Sequence, residues 1–163
     1  MSANRTDLVI LLDRSGSMET GRTDHEGGLR SFVRDQRDLA GDVRLTFVLF
    51  DTQDPFEVVY DRAPLAEVNE AKLTLVPRGG TPLLDALGQT IKHHTKRVMD
   101  AVTRPDMVIL VVITDGQENS SKKYTLADVK RLVGEREAAG WTFLYLGANV
   151  DAFAEAGALG INA

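Results

Sequence analysis

The chain has 163 residues, enough for one domain whose single hydrophobic core needs no disulfide or structural metal to be stable. Lys and Arg total 19 against 24 Asp and Glu, a net charge of −5, which argues against a nucleic-acid-binding module because such modules need clustered positive charge. Cysteine is absent, and this excludes disulfide scaffolds, zinc–thiolate sites, iron–sulfur clusters and cysteine nucleophiles.

The first half of the chain alternates between strand and helix patterns. Residues 8–12 form a short, β-branched-rich apolar run that is typical of a strand covered on both faces. From about Asp24, apolar residues recur at helical spacing until Gly41 ends the element. Strand character returns over residues 43–50. Residues 56–60 follow after a short, turn-rich connection, which favours an antiparallel hairpin partner.

The second half continues the alternation. Pro82 suits the first turn of a second helix. The apolar residues at helical spacing that mark its buried face are Leu84, Leu87, Ile91, Val98 and Val102. Residues 107–113 are the most apolar stretch of the protein and predict a central buried strand.

A third helix, a last strand and a short Ala-rich helix complete the pattern. Thr125 with Asp128 resembles a capping pair at the start of the third helix. Residues 141–146 predict the last clear strand, with Trp141 in the core, and residues 150–158 predict the short helix. This order of elements indicates an α/β fold, a doubly wound sheet with helices on both faces.

Two histidines, His93 and His94, are adjacent on the predicted second helix. Neighbouring side chains on a helix point about 100° apart, so these two cannot share a metal ion. We interpret both as surface residues.

The apolar segments are too short to enter a membrane as helices. The run at residues 8–12 has five residues, whereas a signal-peptide core needs about 7–15 and a membrane helix about 20. We therefore expect a soluble protein located in the cytoplasm.

Polar residues lie next to two of the predicted strands and the second helix, at the edge of the sheet where open α/β folds bind ligands. Asp13, Ser15 and Ser17 come after the first strand, Thr81 precedes the second helix, and Asp115 follows the central strand. Oxygen-only sets of this kind suit hard divalent cations, Mg²⁺ first, with Mn²⁺ or Ca²⁺ as alternatives. Neutral hydroxyls fill coordination positions without cancelling the ion's charge, so the metal still attracts an outside carboxylate.

Taken singly, each of these residues has an ordinary structural interpretation. Asp13, Ser15 and Ser17 favour helix N-caps, Thr81 is also a suitable N-cap, and Asp115 suits a turn. For the five together, metal binding is the interpretation that accounts for the whole set.

The three segments together resemble the von Willebrand factor A (VWA) domain of the bacterial intracellular type. Asp13-x-Ser15-x-Ser17, Thr81 within Gly-Gly-Thr-Pro and Asp115 within Thr-Asp-Gly occur in the family's order. In that family these residues form the metal-ion-dependent adhesion site. The resemblance implies that Ser15, Ser17 and Thr81 coordinate the ion, while Asp13 and Asp115 act directly or through water.

The resemblance also implies the topology and extent of the domain. It implies a mainly parallel, Rossmann-like sheet with residues 56–60 as the antiparallel edge strand. We expect residues 1–163 to form a single VWA domain that lacks the final strand and helix with which family members usually continue. The strand at residues 141–146 is then expected to leave an exposed sheet edge, which residues 150–158 would cover.

The function implied by the resemblance is non-catalytic protein interaction. An open coordination position on the metal would bind an Asp or Glu carboxylate of a partner protein. Bacterial relatives work with AAA+ ATPases, as chelatase subunits or as tellurite-resistance-type proteins, and the sequence does not choose among these. We expect a monomer without nucleic-acid or membrane partners.

Two other functions compete with this interpretation. One is a metal-dependent phosphoester hydrolase that uses the same site. Phosphatases of the haloacid-dehalogenase type also carry an Asp after the first strand, but their second carboxylate is replaced here by Ser15. The sequence also contains no Gly-x-x-x-x-Gly-Lys-Ser/Thr phosphate loop and no Gly-x-Ser-x-Gly elbow. The other is a structural module whose metal site is vestigial, in which case partner binding would survive chelation.

Overall fold

The computed structural model describes residues 5–19, 22–37, 42–54, 56–74, 77–101, 104–114 and 121–146. Within these ranges, strands and helices alternate in the predicted order. The strands are β1 (Arg5–Asp13), β2 (Asp42–Phe50), β3 (Glu57–Pro64), β4 (Met107–Ile113) and β5 (Thr142–Leu146), and the α-helices are α1 (Arg22–Arg37), α2 (Leu83–Asp100) and α3 (Leu126–Ala138). No helix in these ranges has both the length and the apolarity needed to cross a bilayer.

The strands form one sheet in the order β3-β2-β1-β4-β5. β1 pairs in parallel with β2 and β4, and β5 is parallel to β4. β3 is antiparallel to β2. The predicted α/β fold with a mainly parallel sheet and one antiparallel edge is therefore confirmed. The chain turns to opposite sides of β1, so the switch point where such folds bind ligands lies at the carboxyl end of β1.

β1 is buried on both faces of the sheet. Its side chains alternate between two hydrophobic clusters, with Val9 and Leu11 on the side of α2 and α3, and Leu8, Ile10 and Leu12 on the side of α1. This double cover explains why residues 8–12 form an unbroken apolar run.

β3 is longer than the predicted residues 56–60. It continues to Pro64, past the polar residues Asp61 and Arg62. Arg62 has a φ of 51°, its amide donates to Thr46 Oγ1 at 3.1 Å, and the pairing of β2 with β3 is irregular there. The apolar alternation therefore ends at Tyr60 while the strand does not.

The capping pair predicted for the third helix is confirmed. Thr125 Oγ1 accepts from the Asp128 amide at 3.1 Å, and Asp128 Oδ2 accepts from the Thr125 amide at 3.0 Å. The hydrogen bond from the Thr125 amide is the main reason that the pKa of Asp128 lies below its ordinary value. These reciprocal bonds satisfy two amides that a helix start otherwise leaves without partners.

The prediction that His94 lies on the surface is wrong. His94 is fully buried, and its Nε2 lies 2.9 Å from Asp7 Oδ2. Asp7, near the start of β1, also accepts from Arg62 Nε at 2.7 Å and Nη2 at 3.1 Å. The rings of Trp141 and His94 pack in a T-shaped arrangement with their centroids 5.6 Å apart. His93 is half-buried, 3.4 Å from Asp61. We name Asp7, Arg62 and His94 the buried ion cluster.

β5 is an edge strand in the described part of the chain. Phe143 and Tyr145 are buried, whereas Leu144 and Leu146 on the opposite face are 40% and 54% exposed. Trp141, just before β5, is buried, as predicted. The predicted helix at residues 150–158 lies outside the described residues.

Candidate metal centre

Asp13 is the last residue of β1, at the carboxyl end of the middle strand. Its side chain is fully buried, and each carboxylate oxygen has an ordered donor. Oδ1 accepts from the Ser15 amide at 2.7 Å, and Oδ2 accepts from Thr114 Oγ1 at 2.6 Å. Thr114 directly follows β4, the neighbouring parallel strand. These bonds fix the carboxylate at the switch point of the sheet.

The chain after β1 turns sharply and keeps Ser15 at the same edge. Ser15 is buried, and its carbonyl accepts from the Met18 amide at 3.0 Å in the 3-10 turn Gly16–Glu19. Met18 is fully buried in the core and anchors this turn. Ser17 lies in the turn, but its side chain is outside what the structure describes.

The segment before α2 lies directly against this turn. The Gly16 amide donates to the Gly79 carbonyl at 2.9 Å, and the Arg78 amide donates to the Arg14 carbonyl at 2.7 Å. Thr81 follows two residues after Gly79 and is buried. The N-cap of α2 is Pro82, so the predicted role of Thr81 as a cap is wrong.

The residues of the predicted site that the structure describes carry only oxygen donors in their side chains. Asp13, Ser15 and Thr81 are all buried in segments that meet at the carboxyl edge of the sheet. Asp115 lies outside the described residues. Among the described residues, no three His, Cys, Asp or Glu side chains cluster closely enough to hold a metal. A buried carboxylate and buried hydroxyls carried by neighbouring segments are donor types that fit a hard cation such as Mg²⁺ rather than a thiophilic one.

The sequence interpretation missed an ion-pair network beside this edge. Asp51 directly follows β2 and is fully buried. Its Oδ2 accepts from Arg14 Nε at 2.9 Å and from Arg78 Nε. Arg14 also pairs with Glu57. The rule that singled out Asp13, a carboxylate just past a buried strand, applies equally to Asp51 and would have found it.

Asp51 is ionised in spite of its burial. Burial raises the pKa of its carboxyl, but hydrogen bonds from Arg78 and the Asp54 amide, with the charge of Arg14, outweigh this and hold the pKa below the ordinary 3.8. The anion therefore fixes Arg14, within the Asp13-x-Ser15 segment, and Arg78, within the segment that leads to Thr81. It holds two of the site segments together.

Replacing Gly79 with alanine is expected to destabilise the protein by about 2 kcal/mol or more. Gly79 has a φ of 68°, and an added Cβ would lie 2.4 Å from Thr52 Oγ1. That hydroxyl accepts from the Gly80 amide at 3.0 Å, so the clash would also break the bond that holds the segment. Urea denaturation measures the loss.

The matched control for this change is Gly134→Ala. Gly134 lies inside α3, and an added Cβ there meets no atom within 4 Å. Alanine should raise stability at that position by about 0.5–1 kcal/mol through helix propensity. If Gly79→Ala were as stable as the unchanged protein, the tight packing of this segment would be refuted.

The sequence matches no protein-family model and no curated protein. Solved structures match instead. A von Willebrand factor type A structure from Catenulispora acidiphila is 20% identical with a TM-score of 0.63, covering 97% of this chain and 37% of that one. Proximal thread matrix protein 1 from the mussel byssus is 18% identical with a TM-score of 0.62, covering 89% of this chain and 36% of that one.

A third structure is the vWF domain of the type V pili tip protein Mfa5 from Porphyromonas gingivalis. It is 17% identical with a TM-score of 0.50, covering 78% of this chain and 44% of that chain. This chain thus spans less than half the length of each of these three structures. At such identities the likeness concerns the fold. The chain has a von Willebrand factor A-like α/β fold, with Asp13 at the carboxyl end of its middle strand.

Proposed function

We propose that this chain is a metal-dependent protein-interaction domain. A divalent cation, Mg²⁺ before Mn²⁺ or Ca²⁺, is held by Asp13, Ser15, Ser17, Thr81 and Asp115. One coordination position stays open, and it binds an Asp or Glu carboxylate of a partner protein. The domain is non-catalytic in this proposal.

The observation that carries the proposal is that Asp13 is buried at the carboxyl end of β1, with both carboxylate oxygens in hydrogen bonds. A carboxylate that is fully buried is costly unless donors or a cation compensate its charge. Here both oxygens are oriented by neutral donors, the Ser15 amide and the Thr114 hydroxyl. Ser15 and Thr81, the other described residues of the proposed site, are buried in the two segments that meet at this edge of the sheet. This is the pattern of a cation ligand held in place by outer partners.

The charge of the protein makes the metal necessary for an acidic partner. The chain carries a net charge of −5, and the proposed site itself contributes carboxylates. Without a cation, these groups repel an approaching Asp or Glu. The bound ion is the largest local charge in such a site and reverses its sign. Partner binding should therefore depend on the metal.

The names of the similar structures support interaction rather than catalysis. One is a thread matrix protein of the mussel byssus, and another is a pili tip protein. For the present chain, we retain the prediction of a cytoplasmic, monomeric domain, with an AAA+ ATPase system as one of the partner classes that the sequence leaves open. Capture of partners from the source cells, with and without chelator, tests this part of the proposal.

Addition of Mg²⁺ is expected to stabilise the folded protein. A ligand at one hundred times its dissociation constant raises the free energy of unfolding by about 2.7 kcal/mol. Thermal unfolding in millimolar Mg²⁺ and in excess chelator measures the effect, with Na⁺ at equal ionic strength as the control. An unchanged melting temperature would contradict the proposal.

A further inference from the structure

Asp85, in the first turn of α2, binds a distant segment of the chain. Its Oδ1 accepts from the Lys123 and Tyr124 amides at 2.8 and 2.9 Å, and its Oδ2 accepts from the Lys122 amide at 2.8 Å. The Asp85 amide donates to Ser121 Oγ at 2.9 Å. Asp85 is 5% exposed. One buried carboxylate thus organises the backbone of residues 121–124, which lead into α3.

Two more residues on the same face of α2 hold this segment. Tyr124 packs its ring on Gly88, where an added Cβ would lie 2.5 Å from Tyr124 Cδ1. Lys92 places its Nζ 4.9 Å from the centroid of the same ring. Residues three and four apart share one helix face. We name Asp85, Gly88 and Lys92 the α2 clamp.

Ordinary helix capping does not explain Asp85. A carboxylate at the third helical position usually accepts from the N-cap amide, as Asp128 does in α3. The N-cap of α2 is Pro82, which has no amide hydrogen. The carboxylate of Asp85 therefore serves the distant segment instead of its own helix.

The clamp lies close to the candidate metal centre along the chain. Thr81 comes four residues before Asp85, just ahead of α2. The connection from β4 to α3 begins at Thr114, whose hydroxyl binds Asp13 and whose amide donates to the Leu146 carbonyl at 3.0 Å. It reaches α2 again at residues 121–124. One end of the connection is thus fixed on Asp13 and the other on the helix that starts beside Thr81.

We propose that Asp85 is a positioning residue of the metal centre. By holding residues 121–124 on α2, it fixes the start of α2, and therefore Thr81, relative to Thr114 and Asp13. This inference rests on the proposed function, because it assigns Asp85 a part in the affinity for the cation. Loss of a group that hydrogen-bonds directly to a metal ligand typically weakens metal binding 10–100-fold. Because Asp85 acts on the ligands through residues 121–124, this range is the upper bound for its effect.

Asp85→Asn tests the proposal with two readouts. The amide keeps one acceptor oxygen and places a donor group against a backbone amide, so the clamp loses at least one bond. Calorimetric titration with Mg²⁺ and with Mn²⁺ should show binding weakened by more than twofold and by up to about 100-fold. Hydrogen exchange of the amides of residues 122–124 should become at least about tenfold faster, with or without metal.

Three further variants separate positioning from general stability. Asp100→Asn makes the same change at the exposed last residue of α2 and should leave metal affinity unchanged. Val133→Ala lowers stability in the α3 core without touching the clamp and should also leave it unchanged. Gly88→Ala favours helix formation but displaces Tyr124, so it should weaken metal binding. If Asp85→Asn does not fold, Gly88→Ala provides the test of the positioning role.

The outcomes are distinguishable. If the unchanged protein binds metal and Asp85→Asn binds within twofold of it, the positioning role is refuted while the proposed function stands. If Val133→Ala weakens metal binding as much as Asp85→Asn, the effect is one of stability and the positioning role is again refuted. If the unchanged protein binds neither Mg²⁺ nor Mn²⁺, both proposals are refuted.

Discussion

Replacing Asp7 with asparagine is expected to lower the free energy of unfolding by about 3–5 kcal/mol, the usual cost of removing one partner from a buried ion pair. The carboxylate is 2% exposed and lies between the Arg62 guanidinium and the His94 ring. Asparagine keeps the shape of the side chain but leaves the charge of Arg62, whose side chain is 12% exposed, uncompensated. Urea denaturation at pH 7 measures the loss.

Asp42→Asn is the matched control for this change. Asp42 is exposed at the start of β2. Its backbone is in register with Arg5 of β1, at the end of the sheet near Asp7. Its replacement should change stability by less than about 0.5 kcal/mol. If Asp7→Asn were as mild as Asp42→Asn, water would be compensating the charges and the buried ion cluster would contribute little to the fold.

The stability contributed by Asp7 should also depend on pH. Burial raises its pKa, but hydrogen bonds from His94 and Arg62 and their charges outweigh this and lower the pKa below the ordinary 3.8. The unfolded state therefore takes up a proton at higher pH than the folded state does. The contribution is complete above pH 3.8 and is lost as the pH falls through the lower folded-state value. The difference in stability between the unchanged protein and Asp7→Asn should shrink over that interval.

Replacing Asp13 with asparagine is expected to abolish metal binding while leaving the fold intact. Asparagine retains an oxygen for the Ser15 amide, and the Thr114 hydroxyl can rotate to accept from the new amide group. The negative charge that attracts the cation is lost. The fall in affinity for Mg²⁺ should exceed the 10–100-fold typical of losing an outer partner, and the stabilisation by Mg²⁺ should disappear.

Thr114→Val provides a graded comparison for Asp13→Asn. It removes the hydroxyl that donates to Asp13 Oδ2 but keeps the carboxylate. Metal affinity should fall by roughly 10–100-fold rather than vanish. Calorimetric titration with Mg²⁺ ranks the three proteins. An Asp13→Asn protein that binds Mg²⁺ as tightly as the unchanged protein would refute Asp13 as a ligand.

The sequence predicted the fold because local patterns determine most of it. β1 and β4 are covered on both faces, and their unbroken apolar runs show it. The extent of β3 was underestimated because Asp61 and Arg62 interrupt its apolar alternation. Arg62 adopts a left-handed backbone there, and its side chain reaches Asp7 on β1. No local pattern reports such a contact.

His94 and Asp85 show why polar contacts between residues far apart in the chain are hard to predict from local sequence patterns. His94 is 87 positions from Asp7 in the chain, and its burial depends on that pairing. Its spacing from Leu87 and Ile91, seven and three residues earlier, does follow the buried face of α2 and was a usable signal. Asp85 had a weaker signal: a carboxylate at the third helical position after a proline lacks its usual capping partner.

The structure supports the predicted positions of three site residues and reveals two neighbours that the sequence did not predict. Asp13, Ser15 and Thr81 are buried at the meeting of their segments, which the position of each after or before an element had suggested. Thr114 and Asp51 were missed although both directly follow strands at the same edge. Each acts through a neighbour, Thr114 on Asp13 and Asp51 on Arg14. Roles of that kind emerge from contacts rather than from sequence motifs.

Anomalous diffraction from a crystal grown with Mn²⁺ would locate the cation. We predict one strong anomalous peak at the carboxyl end of β1, in contact with oxygens of Asp13, Ser15 and Thr81. The peak should be absent from crystals of Asp13→Asn. A crystal with saturating Mn²⁺ but no peak there, with these three side chains directed away from one another, would refute the proposed metal centre.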